Sequence, residues 1–213
     1  MSEFINTNTL PEEARVYTVK DADVLLSTPS YKRLLTDIEQ VSFADKEVYE
    51  VCYRQLIYRF ASYVQLLPEP ESARPRSMLQ SSMRRAYLML YAFSHELCAI
   101  YGRPYLRTTE GSRLLYAVFS AALLFEVGKI CANRKIILTD EMGKALGDWD
   151  YFNKDMPHFG AYYKIRFGQG VPSNLVTEVT HIIAKTLMPS VAFSWIADCL
   201  LYTSDAADDM ASV

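Results

Sequence analysis

The chain has 213 residues, of which 50% are hydrophobic and 22% are charged, and its formal net charge is −3. This length suits one domain, and the apolar fraction is high enough for a sizeable core. The net charge argues against a protein that coats nucleic acid over its whole surface, although it is compatible with a local basic patch.

Cysteine usage and hydropathy favour a cytoplasmic protein. The four cysteines are far apart in the sequence and form no CxxC or Cys/His pattern, so we expect reduced, buried thiols. The longest charge-free apolar run covers residues 114–125. This run is too short to span a bilayer and is typical of a core helix, so no membrane insertion is expected.

The N-terminal third of the chain is predicted to be helical after a polar, flexible segment over residues 1–20. Ser30 is suited to cap a helix through about Gln40, and Asp45 to cap a longer helix that ends before Pro68. Apolar residues of the longer helix recur at three- and four-residue steps, which place them on one helical face. These residues are Val48, Val51, Cys52, Leu56, Phe60, Tyr63 and Leu67.

Two apolar helices are predicted after a proline-rich connection over residues 68–77. The first begins near Ser77 and has a narrow apolar seam, which predicts contact with another helix. The seam consists of Leu79, Met83, Ala86, Leu90, Phe93 and Leu97. The second helix, capped by Thr108 or Thr109, is apolar nearly all round through Leu124, which predicts a position at the centre of a bundle.

The pattern changes after Asn133. Residues 135–139 are rich in β-branched side chains, and glycines follow at positions 143 and 147, so we expect one short hairpin around residues 135–150. Two helices are predicted beyond it, one capped by Ser173 and one beginning at Pro189. The predicted fold class is therefore all-α, or mainly α: a helical bundle over residues 21–199 with at most this one hairpin.

The C-terminal stretch "CLLYTSDAADDM" resembles translated sequencing-adapter sequence. We therefore expect a non-native tail over residues 200–213 and natural sequence that continues differently. The alternative is an ordinary acidic tail.

Four short motifs follow one another along the chain: YVQLLP at 63–68, LLFEVGK at 123–129, WDYF at 149–152, and LMP at 187–189 leading to Trp195. Their order and spacing are similar to those in the N-terminal domain of TraI-type conjugative relaxases of integrative elements, the MobH group. The similarity extends over roughly residues 20–198. The resemblance implies an HD-like helical bundle and a role in conjugation or type IV secretion.

The resemblance also implies that a metal site has been lost. Where HD-type phosphohydrolases have a metal-binding His-Asp pair, this chain has Phe125 and Glu126, and the family's histidine positions align with Ala73, Arg74 and Ser81. Phenylalanine has no lone pair, and one glutamate is not enough to hold a catalytic metal. We therefore expect no metal, no other cofactor, no catalytic residues and no phosphohydrolase activity. Phe125 is expected to be buried in the vacated volume, against the helix that begins near Ser77.

Arginines are concentrated between residues 73 and 113, where seven of them and two glutamates give a local charge of +5. Because a guanidinium binds phosphate or carboxylate through two parallel hydrogen bonds, such a cluster predicts a docking surface. The positions expected to bind a partner or a phosphate are Arg74, Arg76, Arg84 and Arg85. The alternative is a set of solvated helix faces paired with acids elsewhere.

The resemblance therefore implies a non-catalytic binding or scaffolding domain with protein partners from a conjugation or type IV secretion machinery. The alternative is the N-terminal domain of a DNA-processing relaxase that contacts nucleic acid through the arginine-rich segment. A phosphohydrolase with an unrecognised site is a third hypothesis.

Overall fold

The computed structural model describes residues 15–69, 77–152, 155–167 and 172–197. These residues form a mainly helical protein with one small sheet. The helices are α1 (Ala22–Leu26), α2 (Pro29–Ser42), α3 (Lys46–Val48), α4 (Gln55–Val64), α5 (Met78–Tyr101), α6 (Thr109–Leu124), α7 (Lys129–Asn133) and α8 (Ser173–Leu187). A further helical segment covers residues 190–197. The strands are β1 (Tyr17–Thr18), β2 (Arg134–Thr139), β3 (Ala145–Asp148) and β4 (Tyr162–Phe167).

Side-chain caps fix the starts of the long helices. The backbone N–H of Val48 donates to Asp45 Oδ1 over 2.8 Å, and that of Gly111 donates to Thr108 Oγ1 over 3.1 Å. Ser77 accepts in the same way from the N–H of Gln80. The caps predicted at Asp45 and Thr108 are confirmed.

Two other predicted caps are wrong. Helix α2 begins one residue before Ser30, because Pro29 occupies its first position and its fixed φ suits a helix start. Helix α8 includes Ser173 as its first residue, after an extended Pro172. The helix that was predicted to end just before Pro68 ends earlier: α4 stops at Val64, since the next residue, Gln65, has a φ of 50°.

A widened turn interrupts the helix that begins at Asp45. Residues Tyr49–Arg54 are π-helical and join α3 to α4 without a break. Tyr53 in this turn is fully buried, and its ring centroid lies 5.0 Å from that of Tyr116 on α6.

The core lies around α5 and α6, two helices joined by a 3-10 turn over Arg103–Arg107. The seam predicted on α5 is confirmed: Leu79, Met83, Ala86 and Leu90 are fully buried. The central position predicted for α6 is confirmed by its buried residues, which are Gly111, Leu115, Tyr116, Phe119, Ser120, Leu123 and Leu124.

The sheet is antiparallel, with the strand order β1-β4-β2-β3. The hairpin predicted around 135–150 is β2–β3, whereas β1 and β4 were not predicted. Tyr17 of β1 pairs with Tyr163 of β4, so β1 lies within the stretch expected to be flexible. Residues 1–14 and the tail at 200–213 lie outside the described residues. The turn after β3 is attached to α4 through the Tyr63 hydroxyl, which donates to the carbonyl of Tyr151 over 2.8 Å.

Among the described residues, one segment, Thr109–Cys131, is long and apolar enough to cross a membrane by length and composition alone. Half of its most apolar 18-residue window is buried inside the protein, and the core helix of a soluble protein has the same properties. The segment is therefore weak evidence for a membrane span.

Candidate functional site

The Phe125-Glu126 pair lies in the turn that joins α6 to α7. Glu126 is held between two cations. Arg85 Nη1 of α5 donates to Glu126 Oε2 over 2.6 Å, and Lys129 Nζ donates to Glu126 Oε1 over 2.6 Å. We refer to Arg85, Glu126 and Lys129 as the ion-pair cluster. It connects α5 to the end of α6 and to α7.

The Arg85 guanidinium makes three further contacts in the same place. Its Nε donates to the carbonyl of Ala122 over 3.0 Å, and its Nη2 donates to Ser82 Oγ over 3.2 Å. Its Cζ lies 5.5 Å from the centroid of the Phe125 ring, which is a cation–π geometry. Arg85 is thus fixed by the protein itself rather than presented to solvent as a free fork.

The electrostatics favour a charged Glu126. Its side chain is 19% exposed, and burial on its own raises the pKa of the carboxyl. The hydrogen bonds and charges of Lys129 and Arg85 outweigh this effect, so the pKa of Glu126 lies below its ordinary value.

The described residues do not fit a catalytic metal. Both oxygens of Glu126 already bind cations, and Phe125 offers no donor atom. Ser81 donates its hydroxyl to Glu69 Oε2 over 2.6 Å. Within the described ranges, no group of three His, Cys, Asp or Glu side chains is arranged to hold a metal ion. Three of the predicted positions, Ala73, Arg74 and Arg76, lie outside the described residues.

The predicted burial of Phe125 is wrong. Its side chain is 68% exposed, while Leu124 and Val127 occupy the inward positions of the same turn. Successive residues of a helical turn point about 100° apart, so a turn that buries these two residues directs Phe125 outward. The expected contact with α5 does exist, but it is made by the guanidinium of Arg85.

Exposure of Phe125 changes the expected cost of truncating it. Phe125→Ala is expected to lower the free energy of unfolding by less than about 1 kcal/mol, because only a cation–π contact at the surface is lost. Phe119→Ala is the matched control on α6, since Phe119 is fully buried. The control is expected to cost about 3–5 kcal/mol in a urea titration. Equal losses in the two variants would show that Phe125 is a core residue.

A cleft of about 720 Å³ opens beside the ion-pair cluster. Its walls come from α6, α7, α8 and the segment 190–197, and they are mostly apolar. The hydroxyl of Thr180 donates to the carbonyl of Val176 and accepts from the N–H of Gly128, so it is satisfied within the wall. His181 is exposed and also lines the cleft.

The other described arginines of the segment 73–113 are not part of the ion-pair cluster. Arg84 is exposed on α5, one residue before the half-buried Arg85. Arg107 is exposed in the turn after α5, and the Cζ of Arg103 lies 5.8 Å from the ring centroid of Phe43. The structure therefore brings Arg85 to Glu126, whereas Arg84 points to solvent.

The fold and this site define a mainly helical domain in which a salt-bridged carboxylate joins the central helices. Residues 16–204 match the family TraI_2, described as "Putative helicase". The chain belongs to the TraI_2 family, which is associated with conjugation. No curated protein matches it.

Proposed function

We propose that the chain is a non-catalytic, HD-like binding domain that acts in the cytoplasm as part of a conjugation or type IV secretion machinery. Membership in the TraI_2 family supports the conjugation setting. The order of the four sequence motifs supports a closer relationship to the N-terminal domain of MobH relaxases. The domain would hold protein partners rather than transform a substrate.

The ion-pair cluster carries this proposal. Glu126 stands where the resemblance expects an acidic metal ligand, yet Arg85 and Lys129 each approach its carboxylate to 2.6 Å. A guanidinium and an ammonium neutralise a carboxylate and connect helices, as a metal would. Neither lowers the pKa of a bound water or accepts an oxygen lone pair, which a hydrolytic metal does. The cluster therefore supports a structural role for this position.

Metal content and hydrolysis test the loss of catalysis. The purified chain, incubated with Zn²⁺, Mn²⁺ or Fe²⁺ and then desalted, is expected to retain no stoichiometric ion by elemental analysis. It is expected to hydrolyse a phosphodiester no faster than Glu126→Gln, the matched variant that removes the carboxylate charge. One tightly held ion per chain, or hydrolysis that this variant abolishes, would overturn the proposal.

Binding assays separate a protein-binding domain from one that contacts DNA. We expect the chain to co-purify with a protein encoded by the same conjugative element, and to show no shift of single- or double-stranded DNA at physiological salt. Binding through phosphate contacts would weaken steeply as salt rises, because each neutralised phosphate releases counterions. Salt-dependent DNA binding without a protein partner would favour the relaxase alternative.

A further inference from the structure

The solvent-facing side of α5 carries an apolar stripe. Leu88 and Met89 are each 51% exposed, Ile100 is 62% exposed, and Ala92 and Ala99 are exposed between them. The opposite side of the same helix is the buried seam. Helix α5 therefore exposes apolar side chains on the side opposite its buried seam, which is unusual for a helix at the surface of a monomer.

A repeating row of residues crosses this stripe. Arg84, Leu88, Ala92 and Glu96 are exposed and recur at every fourth residue, so they form one ridge on the helix surface. The ridge has a cation at one end, an anion at the other and two apolar residues between them. Neither Arg84 nor Glu96 forms a salt bridge or a hydrogen bond with another of the described residues.

We propose that two copies of this chain pair through the outer face of α5, antiparallel and related by a two-fold axis that passes between Leu88 and Ala92. Reversing the direction of the ridge places Arg84 beside Glu96 of the partner subunit, and Leu88 beside Ala92 of the partner subunit. Each contact occurs twice, as a two-fold interface requires. Packing of such four-residue ridges is the commonest helix crossing in globular proteins.

Charge complementarity identifies a second copy as the occupant. Arg84 and Glu96 lie about 18 Å apart along the helix, at equal distances from the midpoint between Leu88 and Ala92. A ridge that is cationic at one end and anionic at the other is complementary to its own reverse. An unrelated partner helix would need the opposite charges at this same spacing, whereas a second copy has them already.

The expected dimer is weak. One helix crossing buries an area at the low end of protein interfaces, so its stability depends strongly on concentration. The pairing is independent of the proposed function, because none of the four ridge residues takes part in the ion-pair cluster, which stays intact in each copy.

Charge reversal in one chain and its compensation test the pairing. In sedimentation equilibrium of the full chain over a range of concentrations, wild-type protein is expected to dimerise reversibly. Arg84→Glu and Glu96→Arg are each expected to weaken the dimer by about tenfold or more, because both symmetry-related pairs become repulsive. The double variant Arg84→Glu/Glu96→Arg is expected to regain the dimer dissociation constant of the wild type, and Leu88→Asp is expected to be monomeric. Arg107→Glu is the control, because it reverses an exposed charge that is not part of the ridge. It is expected to leave the dimer dissociation constant unchanged.

Three outcomes would overturn the proposal: wild-type protein that stays monomeric at every concentration, a dimer that Leu88→Asp leaves unchanged, and a double variant as weak as its parents. Circular dichroism of each variant shows whether the helices are retained. Because all four substituted residues are exposed, we expect wild-type spectra.

Discussion

Replacing Gly128 with alanine is expected to lower the free energy of unfolding by about 3 kcal/mol or more, because α8 lies against the glycine backbone. An added Cβ would lie 2.4 Å from both Thr180 Oγ1 and the carbonyl oxygen of Val176, and 2.8 Å from the Thr180 nitrogen. Two of these three atoms belong to the α8 backbone, so no side-chain rotation relieves the contact. The N–H of Gly128 would also lose its 3.1 Å hydrogen bond to Thr180.

Chemical denaturation of the two glycine variants tests this contact. Gly147→Ala is the matched control: a Cβ at this exposed strand position meets nothing within 4 Å. The control is expected to change the free energy of unfolding by less than about 0.5 kcal/mol. Similar values for the two variants would mean that α8 does not approach the turn between α6 and α7.

Glu126→Gln is expected to lower the free energy of unfolding by about 2 kcal/mol at neutral pH, because Arg85 and Lys129 both lose their anionic partner. This figure is below the usual range for a buried pair, since the Arg85 and Glu126 side chains are 28% and 19% exposed. Glu50→Gln is the control. The Glu50–Arg54 pair has similar chemistry within one helix, but its side chains are 42% and 46% exposed. Glu50→Gln is therefore expected to lower the free energy of unfolding by less than about 0.5 kcal/mol.

The contribution of Glu126 is also expected to depend on pH. The folded protein lowers the pKa of this carboxyl below its value in the unfolded chain. The unfolded chain therefore takes up the proton first as the pH falls, and the stabilisation is lost between the unfolded and the folded pKa. The stability difference between wild type and Glu126→Gln should be constant above about pH 5 and shrink below about pH 4.3. A difference that stays constant to pH 2 would contradict the ion pair.

Local sequence patterns predicted much of the helical fold. The cap at Asp45, the seam of α5 and the β2–β3 hairpin depend on neighbours within a few turns, so composition and spacing contain the information. The pairing of β1 with β4 cannot be predicted from local patterns. Tyr17 and Tyr163 are far apart in the chain, and β1 has only two residues. The alternation of Tyr163 and Ile165, both buried, with the charged Lys164 and Arg166 was a usable sequence signal for β4, hidden among irregularly spaced aromatic residues.

The candidate site was predicted less completely. The sequence motif marked Glu126 as the position of interest, and Lys129 lies three residues later, within reach on one helical turn. Arg85 is 41 residues away, and nothing in its local sequence indicates that it rather than Arg84 turns inward. The error at Phe125 arose because the motif was interpreted as a buried pair. The phase set by Leu124 and Val127 predicts the opposite orientation.

The π-helical turn at Tyr49–Arg54 makes the length of this segment as important as its side chains. A π turn contains one residue more than the α-helical ladder needs, so the helix has absorbed the equivalent of a one-residue insertion. Deleting one residue there would restore a regular ladder and leave the flanking residues close to their present directions, because the wide turn has already taken up the extra residue. Glu47 and Val48 would then keep their places in the wall of the cavity of about 610 Å³ that they form with Trp195, whereas Val51 and Cys52, which line the same cavity from within the turn, would be displaced. A deletion in this turn would thus change one part of that surface and leave the rest in place.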